Sequence, residues 1–157
     1  MVRADVIACL ELWKETEALV MRIAADNKAS VTGFLDRNQG LSFVAEAEGE
    51  LIGNILCGHD GRCGYVYHLA VSQRSRREGL ASAMLAYSIE ALRKQGIAHC
   101  HTFVAFRNLT ALKFWRSVGG NLRPDLRVVT IDVEERLPPA GKGWSHGPML
   151  DTGASIP

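Results

Sequence analysis

Apolar residues along this chain change their period several times, and each change marks an element. Val6, Leu10, Trp13 and Val20 fall at helical spacing, with Asp5 placed to cap the helix they define. A second short helix is expected over residues 30–38, with Val31, Phe34 and Leu35 apolar and Gly40 stopping it. The period then drops to two. Leu41, Phe43, Ala45 and Ala47 alternate with mostly polar residues as a strand. Glu48-Gly49 reads as a hairpin turn, and residues 50–57 form the returning strand. Asp60-Gly61 marks another turn before a strand over 64–71. A long helix is expected over 79–95, with Leu80, Met84, Tyr87 and Ala91 on one stripe and Gly96 at its end. Residues 99–106 read as a buried strand. Asn108 caps a fourth helix carrying Leu109, Leu112 and Trp115, stopped by Gly119-Gly120. Residues 126–133 alternate as a last strand, and residues 134–157 form a Pro/Gly-rich tail or extended arm. Helices, antiparallel hairpins and one strand–helix–strand unit define an α+β fold: a mixed, mostly antiparallel central sheet flanked by helices, in one domain over residues 1–133.

Composition adds little to that pattern. The chain has 157 residues, 47% of them apolar and 22% charged, enough for one domain with a full core. A net charge of +1 gives no global attraction to nucleic acid or a membrane surface, so neither is expected as a partner. No apolar run approaches membrane-spanning length, and the first residues lack a secretory pattern, so a cytoplasmic location is expected. Cys9, Cys57, Cys63 and Cys100 show no paired spacing and read as free, partly buried thiols. Without CxxC or HxxxH, no metal site is assigned.

The positive charge is local instead. Arg74, Arg76 and Arg77 cluster where the strand ending at Val71 gives way to the long helix. A helix start presents unpaired amides and the positive end of the helix dipole, which favours an anion. Gly79 lets a bulky anion approach the backbone, and Ala81 leaves room against the first turn. The loop is neither a P-loop, since GxxxxGK[ST] is absent, nor a dinucleotide fingerprint, since GxGxxG is absent. An arginine, a tight turn and successive helix-start amides instead make a nest for a pyrophosphate. Taken alone, the same residues also read as solvated charges beside a turn glycine.

Two motifs in order resemble the GNAT superfamily of acyl-CoA-dependent N-acyltransferases. Arg76, Gly79 and Ala81 match its phosphate-binding pattern. Asn108, Ala111, Phe114-Trp115 and Gly119 match its later one. The segment Cys57-Gly-His-Asp-Gly-Arg62, with Tyr67-His-Leu-Ala-Val71 after it, is similar to a bacterial YpeA-like subgroup. The resemblance implies that the strand through Leu69 and Val71 splays from its parallel neighbour near His101 to Val104. The pantetheine arm of acetyl-CoA, the acyl donor, would enter the gap and pair with Leu69 and Val71 as an added strand does. It further implies that the pyrophosphate takes amides of Arg77, Gly79, Leu80, Ala81 and Ser82 beside Arg76, and that Asn108 touches the cofactor arm. An amide near Leu69 would hold the oxyanion of the tetrahedral intermediate.

A lysine-type amine has a pKa of about 10.4, so direct attack calls for a base. His68, one residue before Leu69, is the first candidate, with a hydrogen-bonded core position as the alternative. His59, Asp60 and Glu46 on the hairpin are further candidates. Trp115 stands where many members of the superfamily place a tyrosine that protonates the departing thiolate. An indole N–H donates a hydrogen bond but is not a practical acid, so Trp115 either donates toward the sulfur or packs the cleft wall. Tyr67 could supply the proton instead. His99 and His101 share a strand face and read as structural.

The implied activity is acetyl transfer to a primary amine of a small molecule or a peptide. The competing classes are an acyl-CoA-binding module without catalysis and a phosphate-nest protein for another nucleotide. Trp144 in the arm is a candidate anchor, docking on its own domain or on the partner subunit of a homodimer.

Overall fold

Why the chain turns where it does is visible at Glu48-Gly49, where φ is +53° and +80° and a two-residue reversal joins the first two strands. The computed structural model describes residues 1–17, 19–131 and 133. Along them run α1 (Val6–Glu15), α2 (Lys28–Arg37), β1 (Phe43–Ala47), β2 (Glu50–His59), β3 (Gly64–Val71), α3 (Leu80–Lys94), β4 (Cys100–Thr102) and α4 (Leu109–Ser117). All belong to a unit spanning Met1–Asn121. The sheet runs in sequence order; β1, β2 and β3 are antiparallel, and β4 joins β3 in parallel.

Each face of the sheet carries its own core. On one side α1 and α2 pack Val6, Leu10, Trp13, Val31 and Leu35 against Leu56 and Ala70. On the other, Met84, Leu85 and Leu92 of α3 pack against Ile55, Cys57 and Val66, with Phe114 and Trp115 of α4 joining in. Neighbouring β2 residues thus serve opposite faces, as strand alternation requires. Gly58 permits α2 to approach: a Cβ there would lie 2.5 Å from Phe34 Cζ.

Several expectations shift for identifiable reasons. Helix α1 stops at Glu15, so Val20 lies beyond it, two-thirds exposed. Strand β1 starts at Phe43 because Leu41 and Ser42 are bonded through side chains. Ser88 Oγ donates to Leu41 O, and Ser42 Oγ bonds both Cys57 O and Cys57 N. The buried stripe of α3 is Met84, Leu85, Ser88 and Leu92. Tyr87 is exposed, its ring beside Phe43. The buried serine hid that stripe from a hydrophobic count. No α4 residue is fully buried, and Leu109 is exposed.

Strand β4 covers three residues, not the expected 99–106, and is half-buried. It pairs only with Gly64, Tyr65 and Val66. The strand expected over 126–133 does not form in the described residues. Leu126, Val128, Val129 and Ile131 are exposed; alternation makes a strand only where a ladder partner is offered. These residues belong to a second unit beginning at Leu122, in which Arg123 pairs with Asp125. The arm over 134–157, with Trp144, lies outside the described residues.

Candidate active site

The parallel ladder ends at Val66 and Thr102, while β3 continues to Val71. Register decides what that extra length offers. Ser72 N donates to Ile52 O, and β2 and β3 keep the same register through Ala70 opposite Asn54 and His68 opposite Leu56. Backbone bonding alternates along an antiparallel pair, so Leu69 and Val71 turn their amides and carbonyls away from β2. They face the side that β4 has left. An open length of strand edge therefore lies between the diverging strands, as the splay expected there requires. Val71 O accepts from Arg76 Nε at 3.2 Å, which folds the basic loop back over the strand end.

That loop alternates in hand. Arg77 has φ +70° and Gly79 +83°, both left-handed, and Gly79 then opens α3. No side chain caps the helix. Its first intrahelical amide is that of Ala83, bonded to Gly79 O at 3.0 Å. The amides of Leu80, Ala81 and Ser82 precede it and have no intrahelical partner. A Cβ built on Gly79 meets nothing within 4 Å, so the space before the helix is open. Left-handed turns beside free helix-start amides form an anion nest, and the arrangement suits a pyrophosphate. Asn108 Oδ1 accepts from Ala111 N at 2.9 Å, confirming its cap of α4.

A bulge decides which β3 side chains share a face. Leu56 pairs with His68 but Cys57 pairs with Val66, leaving Tyr67 as the extra residue. Two consecutive side chains then share the α1/α2 face. Tyr67 meets Phe34 edge-on at 5.3 Å between ring centroids, and His68 packs on Trp13 at 4.3 Å. Tyr65, stacked near Tyr67, extends this aromatic surface toward His101 and Phe103. Desolvation first, then Tyr65 and Asp60, raises the Tyr67 pKa and keeps its phenol protonated.

His68 itself is nearly buried, with Nε2 2.8 Å from Asp26 Oδ1. Asp26 carries no sequence motif; only the return of the α1–α2 connection to the sheet brings it here. The other hairpin candidates are otherwise engaged. His59 Nε2 bonds Gln95 Oε1 and its Nδ1 accepts from Gly61 N. Asp60 Oδ1 accepts from Arg62 N and Cys63 N, and these amides hold its carboxyl below the usual range. Glu46 is exposed on β1. Trp115 stacks edge-on with Phe114 and packs on the α3-side core. No helix among the described residues is long and apolar enough to cross a membrane.

A parallel pair parting above a helix-start anion nest defines an enzyme of the N-acetyltransferase class. Residues 7–119 match the acetyltransferase (GNAT) family, and the chain belongs to that family. It is 30% identical over 100 residues to the acetyltransferase ECA0875 of Pectobacterium atrosepticum, covering 64% of this chain and 70% of that one. Among solved structures, AAC(6')-Iy, bound to a CoA-S-monomethyl-acetylneamine bisubstrate analogue, superposes with a TM-score of 0.66. Its identity is 18%, and 87% of this chain and 95% of that one are covered. The ribosomal-protein-S18-alanine N-acetyltransferase of Escherichia coli gives 0.62 at 19% identity, with 76% and 73% covered. At such identities the likeness speaks for the fold.

Proposed function

We propose that this protein moves the acetyl group of acetyl-CoA to a primary amine of a small molecule or a peptide by direct attack. The observation that carries the reading is the open edge of β3 leading into the Arg76–Ser82 nest. Leu69 and Val71 would receive the pantetheine arm. Arg76, Arg77 and the amides of Gly79, Leu80, Ala81 and Ser82 would receive the pyrophosphate, with Asn108 beside the arm. Bound acetyl-CoA supplies the acetyl thioester as electrophile.

His68 takes the proton of the attacking amine, and the backbone near Leu69 stabilises the developing oxyanion. Tyr67, on the same sheet face as His68, carries the phenol O–H that protonates the leaving thiolate. Trp115 then forms part of the cleft wall, where its core packing puts it. By name, one structural relative binds a CoA–acetylneamine bisubstrate analogue and the other is a ribosomal-protein-alanine N-acetyltransferase, which supports a broad acceptor class and no single acceptor.

The test is thiol release from acetyl-CoA with kanamycin, spermidine, phenethylamine, a lysine peptide and a peptide with a free N-terminal alanine. Turnover of at least one of these is expected. Tight acetyl-CoA binding with no release from any of them would favour a non-catalytic acyl-CoA-binding module, and no CoA binding would reject both readings.

A further inference from the structure

Asp26 sits in a locked turn. Its amide donates to Arg22 O at 2.7 Å, and its Oδ2 accepts from Arg22 N at 2.6 Å. Asn27 follows, capping α2 through Ser30 N and bonding back to Ile23 O and Ala24 O. The remaining carboxylate oxygen points at His68 Nε2, 2.8 Å away, with both side chains only 10% exposed. Around the imidazole, α1 presents Trp13, β2 presents Leu56 across the ladder, and β3 presents Tyr67 on the same face. Trp13 is itself fixed, donating from Nε1 to the buried Asn54 Oδ1 at 2.8 Å. Among the described residues, Asp26 is the charged group in ion-pair contact with His68. A carboxylate can only accept, so in a neutral ring facing one it is Nε2 that donates, and the lone pair is then on Nδ1.

We propose that Asp26 is the positioning residue of the His68 base. It selects the Nε2–H tautomer, leaves Nδ1 to receive the amine proton, and balances the charge that the imidazole gains. This rests on the reading of His68 as the base. The amine nitrogen bonds the acetyl carbon, the carbon–sulfur bond breaks, its electron pair leaves with the CoA sulfur, and the proton passes to Nδ1. An anion in contact favours the imidazolium and so strengthens the neutral ring as a base. A tie that only anchored the α1–α2 connection to the sheet would need an acceptor but no charge.

Asp26→Asn separates the two, because its amide oxygen still accepts from Nε2–H. The His68 ring is followed by nitrogen–proton NMR against pH in both proteins, and kcat/KM is measured with the amine that turns over best in the panel above. The neutral wild-type ring is expected as the Nε2–H tautomer. Asp26→Asn is expected to part from wild type both in the ring's NMR signals against pH and in the pH profile of kcat/KM. The neutral-pH kcat/KM drops by about tenfold or more, the KM for acetyl-CoA holding. Coincident midpoints and profiles would overturn the role of Asp26.

His68→Gln tells the two readings apart. If kcat/KM survives in His68→Gln, or no panel amine turns over, the base reading falls and this inference with it. If His68→Gln loses activity while Asp26→Asn titrates and reacts like wild type, only the role of Asp26 falls.

Discussion

Single side chains hold this molecule through contacts that span the sheet. Trp13, 1% exposed, donates its indole hydrogen to Asn54, which is fully buried. Trp13→Phe leaves that acceptor unpaired and a gap beside it. Orphaning the acceptor alone costs about 1–3 kcal/mol, and urea denaturation should show at least that loss. The thiols divide by environment. Burial pushes Cys9 up to about 12. A contact between Cys57 and Cys100 raises the first, which is also buried, and lowers the second. A lowered thiol pKa means more thiolate at a given pH, so Cys100 should react with a disulfide reagent near neutral pH before Cys9 or Cys57. Its rate should fall as the pH drops through that lowered pKa. Peptide mapping after brief labelling checks this, and equal labelling of Cys9 would contradict it. The cysteine types were legible as free thiols from spacing. Which of them share a contact was not, because Cys57 and Cys100 lie on strands separated by β3.

At the scale of elements, ends matter more than middles. The start of α3 offers free amides because Gly79 is left-handed and no side chain fills the cap. Gly79→Glu adds a carboxylate to an anion nest and strain to a backbone at φ +83°. Calorimetric titration should find acetyl-CoA affinity lost, and unchanged affinity would refute the loop assignment. The start of α4 is closed by Asn108, so Asn108→Ala should cost about 1 kcal/mol in thermal or urea unfolding. Both ends were readable in advance, since a cap and a turn glycine act through local backbone geometry. The stripe of α3 was misread, because burial of Ser88 depends on Leu41 O, nearly fifty positions earlier in the chain. The length of β4 was misread because its ladder lasts only as long as β3 stays beside it.

Across the unit over Met1–Asn121, two helical layers press on one sheet, and close approach leaves little slack. Gly58 faces the end of α2 with no room for a methyl: a Cβ there would lie 2.5 Å from Phe34 and 2.6 Å from Asn38. Gly58→Ala must displace the Phe34 ring and the Asn38 amide that accepts from His59 N, and should lower stability by about 1–3 kcal/mol, read from denaturant midpoints. What the sequence determined by itself was the order of elements from α1 to α4, the turns, the basic loop and the two motifs, all set by the conformational preferences of neighbouring residues. The left-handed Gly79 before α3 and the cap of α4 belong to that category. The tertiary structure decided the rest. The bulge that puts Tyr67 and His68 on one face exists only as a mismatch of register between β2 and β3. The contact of Asp26 with His68 joins residues 42 positions apart. The open edge at Leu69 and Val71 arises because β4 diverges after Thr102. Pairing and divergence are relations between strands, and no local pattern of apolar and polar residues encodes which strand will be left without a neighbour.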